Sequence, residues 1–125
     1  PKEDLGLTNT TAIENVGTLK FADMTGYPAD FKITDYATVE IIWNGEYGQG
    51  KFCLNNTAGG DAYNYGYGDG YGPNWIHDIA KDADGNGKVE IAITADMAAC
   101  DCITYQDFAS AGTVTFTKVT FKVAK

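Results

Sequence analysis

The chain has no arginine, one histidine and three cysteines in 125 residues, and its nine lysines face 17 aspartates and glutamates for a net charge of -8. Ser110 is its one serine. Nucleic-acid binding needs clustered Lys and Arg against phosphate, so this balance argues against such a partner. It argues equally against an anionic membrane surface. No apolar run approaches the ~18 residues of a membrane-spanning helix. Neither Ser110 nor a cysteine has an evident partner for nucleophilic catalysis, and His77 has no second histidine for a metal. No Gly-rich phosphate loop is credible either, because the Gly-Tyr run lacks a strand before it, a helix after it and a lysine. The chain opens on Pro1 without a methionine and reads as a processed or excised piece. Its lack of a signal peptide therefore does not count against secretion.

What is present is enough apolar residue, 44%, for one folded core. The length suits one domain over 1-125. Helix signals are thin: Ala95 to Ala99 suits one turn capped by Thr94, and Trp75 to Asp82 suits another. Strand signals dominate. Thr18 to Ala22 is a short candidate. Ala37, Val39, Ile41 and Trp43 alternate along one side of a strand, with Thr38, Glu40 and Ile42 on the other. Lys51 to Leu54 and Cys102 to Phe108 follow. Val89, Ile91 and Ile93 face one way along a further strand. In Thr113 to Val123 the apolar parity shifts between Phe116 and Val119, which predicts a bulge or break there. Many short strands with Gly-rich turns point to an all-β sandwich of two antiparallel sheets, of jelly-roll type, with little helix.

Gly59 to Trp75 departs from this pattern. It holds six Gly, four Tyr and one Trp, and no Val, Ile or Leu. Such a segment supplies no aliphatic core, and its glycines cost folding entropy. Its tyrosines suit either of two roles, a cover over the core edge that orders the loop, or a binding surface for sugars. Rigid rings stack on the C–H faces of sugars, and the Asp61, Asn64, Asp69 and Asn74 between them suit hydroxyl rims. Tyr65, Tyr67, Tyr71 and Trp75 are the candidate rings here, with Tyr47 in the turn after the Trp43 strand. Trp43 reads two ways, as core by parity or as a platform at a strand end. Gln106 is a candidate hydrogen-bonder to sugar hydroxyls from its strand.

Asp82-Ala-Asp84-Gly-Asn86-Gly-Lys-Val-Glu90 matches the opening of an EF-hand loop, but Ile93 stands where the bidentate glutamate belongs. The run is either a Gly-Asn-Gly hairpin turn or a looser calcium loop using Asp82, Asp84 and Asn86. For the cysteines, a disulfide of Cys53 with Cys100 or Cys102, and three free buried thiols, are both compatible with the spacing. A metal site is the weaker alternative, since zinc wants four ligands. Hydrolysis would need two carboxylates ~5 to 9 Å apart across a cleft. Glu40 and Glu46 are the strand or turn glutamates near the aromatics, and Glu40 faces away from Trp43.

The runs Asp35 to Asn56, Asp82 to Thr94 and Val114 to Val123 together resemble carbohydrate-binding modules. The likeness is to those appended to plant-cell-wall glycoside hydrolases of cellulosome-forming anaerobic gut bacteria. The resemblance implies a jelly-roll sandwich, secreted, often with a structural calcium and without activity of its own. It implies binding of β-1,4-glucan, xyloglucan or glucomannan that targets covalently linked enzyme domains, with Trp43 and Trp75 as platform beside Tyr47 and the Tyr63 to Tyr71 segment. The alternative expectation is a protein-interaction sandwich, of scaffold or cohesin-like kind.

Overall fold

The structure is a computed structural model, and it describes residues 2-46, 50-57, 83-107 and 112-125. Among the described residues, eight strands run β1 (Leu5–Thr8), β2 (Ile13–Glu14), β3 (Val16–Lys20), β4 (Thr38–Glu46), β5 (Gly50–Asn55), β6 (Asn86–Ala92), β7 (Cys102–Asp107) and β8 (Thr113–Lys122). One sheet has the order β1-β8-β4-β6, with β2 pairing β8, and the other has the order β3-β7-β5. Every pairing is antiparallel. Successive strands from β3 to β8 alternate strictly between the two sheets, and the expected all-β sandwich of two antiparallel sheets is borne out. The helical content described is three short 3-10 turns, one of them Ala95–Met97, where a turn capped by Thr94 was expected.

The period-2 pattern sets which faces pack. Val39, Ile41 and Trp43 of β4, Val89 and Ile91 of β6, and Leu7 of β1 point inward, against Leu19, Phe52, Leu54, Ile103 and Tyr105 of the other sheet. β8 contributes Val114, Phe116, Val119 and Phe121, all fully buried. Phe116 and Phe121 are an odd number of residues apart, so a regular strand would send them to opposite faces. The register resolves this. Ile42 pairs with Lys118 but Trp43 pairs with Phe116, which leaves Thr117 as the extra residue of a bulge. The parity shift in the sequence is this bulge.

β1 and β2 have no counterpart in the sequence reading. Each is only two to four residues long, and Leu-Gly-Leu-Thr is too short to display a period. Asn86 and Gly87, expected in a Gly-Asn-Gly hairpin turn as one of two alternatives, are instead the first residues of β6 and pair with Asn44 and Trp43 of β4. Gly85 holds φ at +83° in the turn that leads into β6, a conformation only glycine adopts cheaply.

On the outer side of the larger sheet, Glu40 and Glu90 sit directly opposite each other. The Lys122 ammonium bridges them, at 3.2 and 2.9 Å. It thereby offsets a like-charge pair that would otherwise weaken the ladder.

Trp43 pairs with Gly87, and a Cβ on Gly87 would overlap its indole. Gly87→Ala should therefore displace the ring and lower unfolding stability by roughly 1–3 kcal/mol. The check is a urea midpoint; a midpoint equal to the parent protein's would show that the ring does not depend on this gap.

Candidate functional site

The outward face of the three-stranded sheet carries a row of neutral hydrogen-bonding groups. Register places Thr18 of β3 and Cys53 of β5 on either side of Thr104, and Val16 and Lys51 on either side of Gln106. Two residues apart, Thr104 and Gln106 share this face by strand geometry. The Thr18 and Thr104 hydroxyls lie 3.4 Å apart, and the Asn55 amide donates to Thr104 at 3.4 Å. These groups, with Lys20, Asn56, Thr57 and Cys102, line an open depression of about 340 Å³.

Asp101 ties the end of this depression together. Its backbone N–H donates to Asn55 O and its carbonyl accepts from Phe21 N–H, each at 2.9 Å. Its carboxylate accepts from the Thr57 amide at 2.9 Å and the Thr57 hydroxyl at 2.6 Å. Burial alone pushes the Asp101 pKa up. The two Thr57 hydrogen bonds, with Cys102 and Lys20 beside them, more than offset this and leave the carboxyl below its ordinary value.

All three cysteines are buried, and none is in a disulfide. The disulfide alternative is thus not realised. Burial pushes the Cys100 and Cys102 thiols up to about 12, and the charge of Asp101 adds to this in both. At neutral pH both are protonated, and neither is a nucleophile. β5 is covered on both faces: Phe52 and Leu54 point into the core, while Lys51 and Cys53 on the other side are 4% and 0% exposed. Desolvation lowers the Lys51 pKa.

The residues singled out in the sequence separate sharply. Trp43 is a core residue and not a surface platform. It is 2% exposed, and its indole packs edge-on against Phe52 at 5.2 Å and Phe116 at 6.5 Å. Its inward parity with Val39 and Ile41 extends to the end of the strand because Phe52 of the facing sheet lies there to cover it. Gln106 lies on the outward face described above. Tyr47, Tyr65, Tyr67, Tyr71, Trp75 and Asp82 lie outside the described residues. Of the other calcium candidates, Asp84 is exposed in the turn, and Asn86 accepts from the Asn44 amide across the strand pair at 2.8 Å. Its side-chain oxygen is thus engaged in the sheet, and calcium wants six to eight oxygen ligands. Among the described residues, no group of three His, Cys, Asp or Glu is placed to hold a metal. No described helix is long and apolar enough to cross a membrane.

Sequence reasoning missed Thr18, Asn55, Thr57, Asp101 and Thr104. They come from three strands and two separate loops, and a single threonine or asparagine in a strand carries no local signal. No family model matches the chain, and no curated protein or solved structure matches it.

Two outcomes follow from this geometry. The Asp101 contribution is present at neutral pH and is lost as pH falls below the ordinary carboxyl range near ~4 and through the lower folded value. Asp101→Asn should cost about 1 kcal/mol at pH 7, and urea midpoints of parent and variant should converge in strong acid. Equal midpoints at pH 7 would remove the Thr57 contact from the ledger of stability. Separately, Cys100 and Cys102 should resist a thiol-specific reagent at pH 8 in the folded protein and react promptly in urea. Rapid labelling without denaturant would contradict their burial.

Proposed function

We propose that this sandwich is a non-catalytic module that binds a β-linked plant cell-wall polysaccharide and holds a linked, secreted glycoside hydrolase on it. β-1,4-Glucan, xyloglucan and glucomannan are the candidate ligands. The observation that carries the reading is the placement of the polar row. Thr18, Thr104 and Asn55 line one depression on the outward face of the three-stranded sheet, with Gln106 next along that face, whose β5 side is covered at Lys51 and Cys53. Thr57, on the rim of the same depression, continues directly into the Tyr- and Gly-rich segment.

Hydroxyl and amide groups that both donate and accept match the rim of a neutral sugar. Individually they are weak, about 1 kcal/mol net for each hydrogen bond. Micromolar affinity needs ~8 kcal/mol. The polar row therefore orients a chain rather than holding it alone. The remaining affinity is assigned to aromatic stacking by Tyr65, Tyr67, Tyr71 and Trp75, at about 1 kcal/mol for each ring beyond its area burial. Trp43, being in the core, has no part in it. Neither does Glu40, whose carboxylate is paired with Lys122 at 3.2 Å.

Native gels cast with glucan, xyloglucan or glucomannan, followed by calorimetry, test the reading. Retardation is expected in at least one gel, with no release of reducing sugar. Trp75→Ala should weaken binding about fivefold, and Thr104→Val by a similar factor. Unchanged mobility in every gel would overturn the proposal and favour the protein-interaction alternative, for which Val16, 65% exposed on the same face, is the feature to probe.

A further inference from the structure

We infer that Tyr27 is a second stacking platform, at the end of the sandwich beyond Asp101, and that it takes a distal sugar of a chain lying along the three-stranded face. The inference rests on the polysaccharide reading above and extends the site to residues that neither the motifs nor the Tyr-rich segment include.

Tyr27 is the one aromatic ring among the described residues that stands out as exposed, at 36%. It is not loosely held. Its ring leans on Phe31 with centroids 5.2 Å apart. Phe31 in turn packs edge-on against buried Phe121 at 4.8 Å and stacks with Tyr36 at 6.1 Å. A surface ring backed by a buried aromatic cluster has lost its freedom on folding, so a ligand that stacks on it does not incur that cost again.

Beside the ring is a second depression of about 210 Å³, lined by Tyr27, Phe31, Lys32, Ala98 and Asp101 among others. It therefore offers an aromatic wall together with one cationic donor and one anionic acceptor, whose charges balance. That combination suits a neutral, hydroxylated ring better than an anion. Asp101 joins the two depressions. It lines this one, while Thr57, bound to its carboxylate, and Cys102, its neighbour, line the other. A carboxylate has about four acceptor positions, and Thr57 uses two. A glycan leaving the Thr18–Thr104–Asn55 row past Asp101 thus arrives at Tyr27.

The test is calorimetry with cello- and manno-oligosaccharides from disaccharide to hexasaccharide, on the parent chain, Tyr27→Ala, Tyr27→Phe and Lys32→Ala, each checked for an unchanged melting temperature. The hexasaccharide of the bound series should lose about fivefold in affinity in Tyr27→Ala, while the disaccharide is unaffected and Tyr27→Phe behaves as the parent. Lys32→Ala keeps the ring and should also weaken only the longer sugars. Parent-like hexasaccharide binding by both Tyr27→Ala and Lys32→Ala would overturn the inference and leave the polysaccharide reading standing. No binding of either series by the parent chain, nor of the polysaccharides in gels, would overturn both.

Discussion

One extra residue in the longest strand conditions the rest of the structure. β8 has to face the second sheet along its whole length, and it carries an aromatic ring near each end. Phe116 and Phe121 are out of phase in an unbroken strand, yet both are fully buried. The bulge at Thr117 brings them into phase. Its carbonyl accepts from Asn9 N–H at 3.1 Å, and its hydroxyl donates to Ile42 O at 3.4 Å, so the irregular backbone is not left unsatisfied. Without the bulge, one half of β8 would turn its apolar set to water.

Two aromatic clusters grow from those two rings. Around Phe116 lie Trp43, Phe52 and Tyr105, contributed by both sheets. Around Phe121 lie Phe21, Phe31 and Tyr36. Their fates differ in one respect. The first cluster is closed, with the Trp43 indole over Gly87, and so it serves stability alone. The second ends at Tyr27, whose ring remains partly in water. The same edge-to-face packing therefore seals one cluster and, in the other, steadies a ring that solvent can reach.

Strand content, the alternation along β4 and β6, and the slip in β8 were legible in the chain because burial imposes a period of two on any strand with one dry face. The capped turn after β6 was legible because Thr94 precedes a short alanine-rich stretch. β1 and β2 were not, since two to four residues cannot establish a period; they exist because β8 offers them an edge. The polar row was equally hidden. Thr18 and Thr104 are 86 positions apart, and only β3–β7 pairing brings their hydroxyls together. Tyr27 was passed over because nothing around it in sequence distinguishes it from the other tyrosines.

Read alone, the residues determined an all-β sandwich, an acidic net charge, and a Tyr- and Gly-rich segment without Val, Ile or Leu. Those are properties of composition and short-range periodicity, which need no knowledge of neighbours. Which aromatic rings face water was decided only by the tertiary structure. Trp43 and Tyr27 are both large amphipathic rings; alternation with Val39 and Ile41 left Trp43 between core and platform, and nothing in the sequence around Tyr27 placed it at all. The first meets Phe52 from the opposite sheet and is closed over, while the second lies at the end of its cluster with solvent on one side. Exposure depends on what the rest of the chain places opposite a side chain, and that is a long-range quantity.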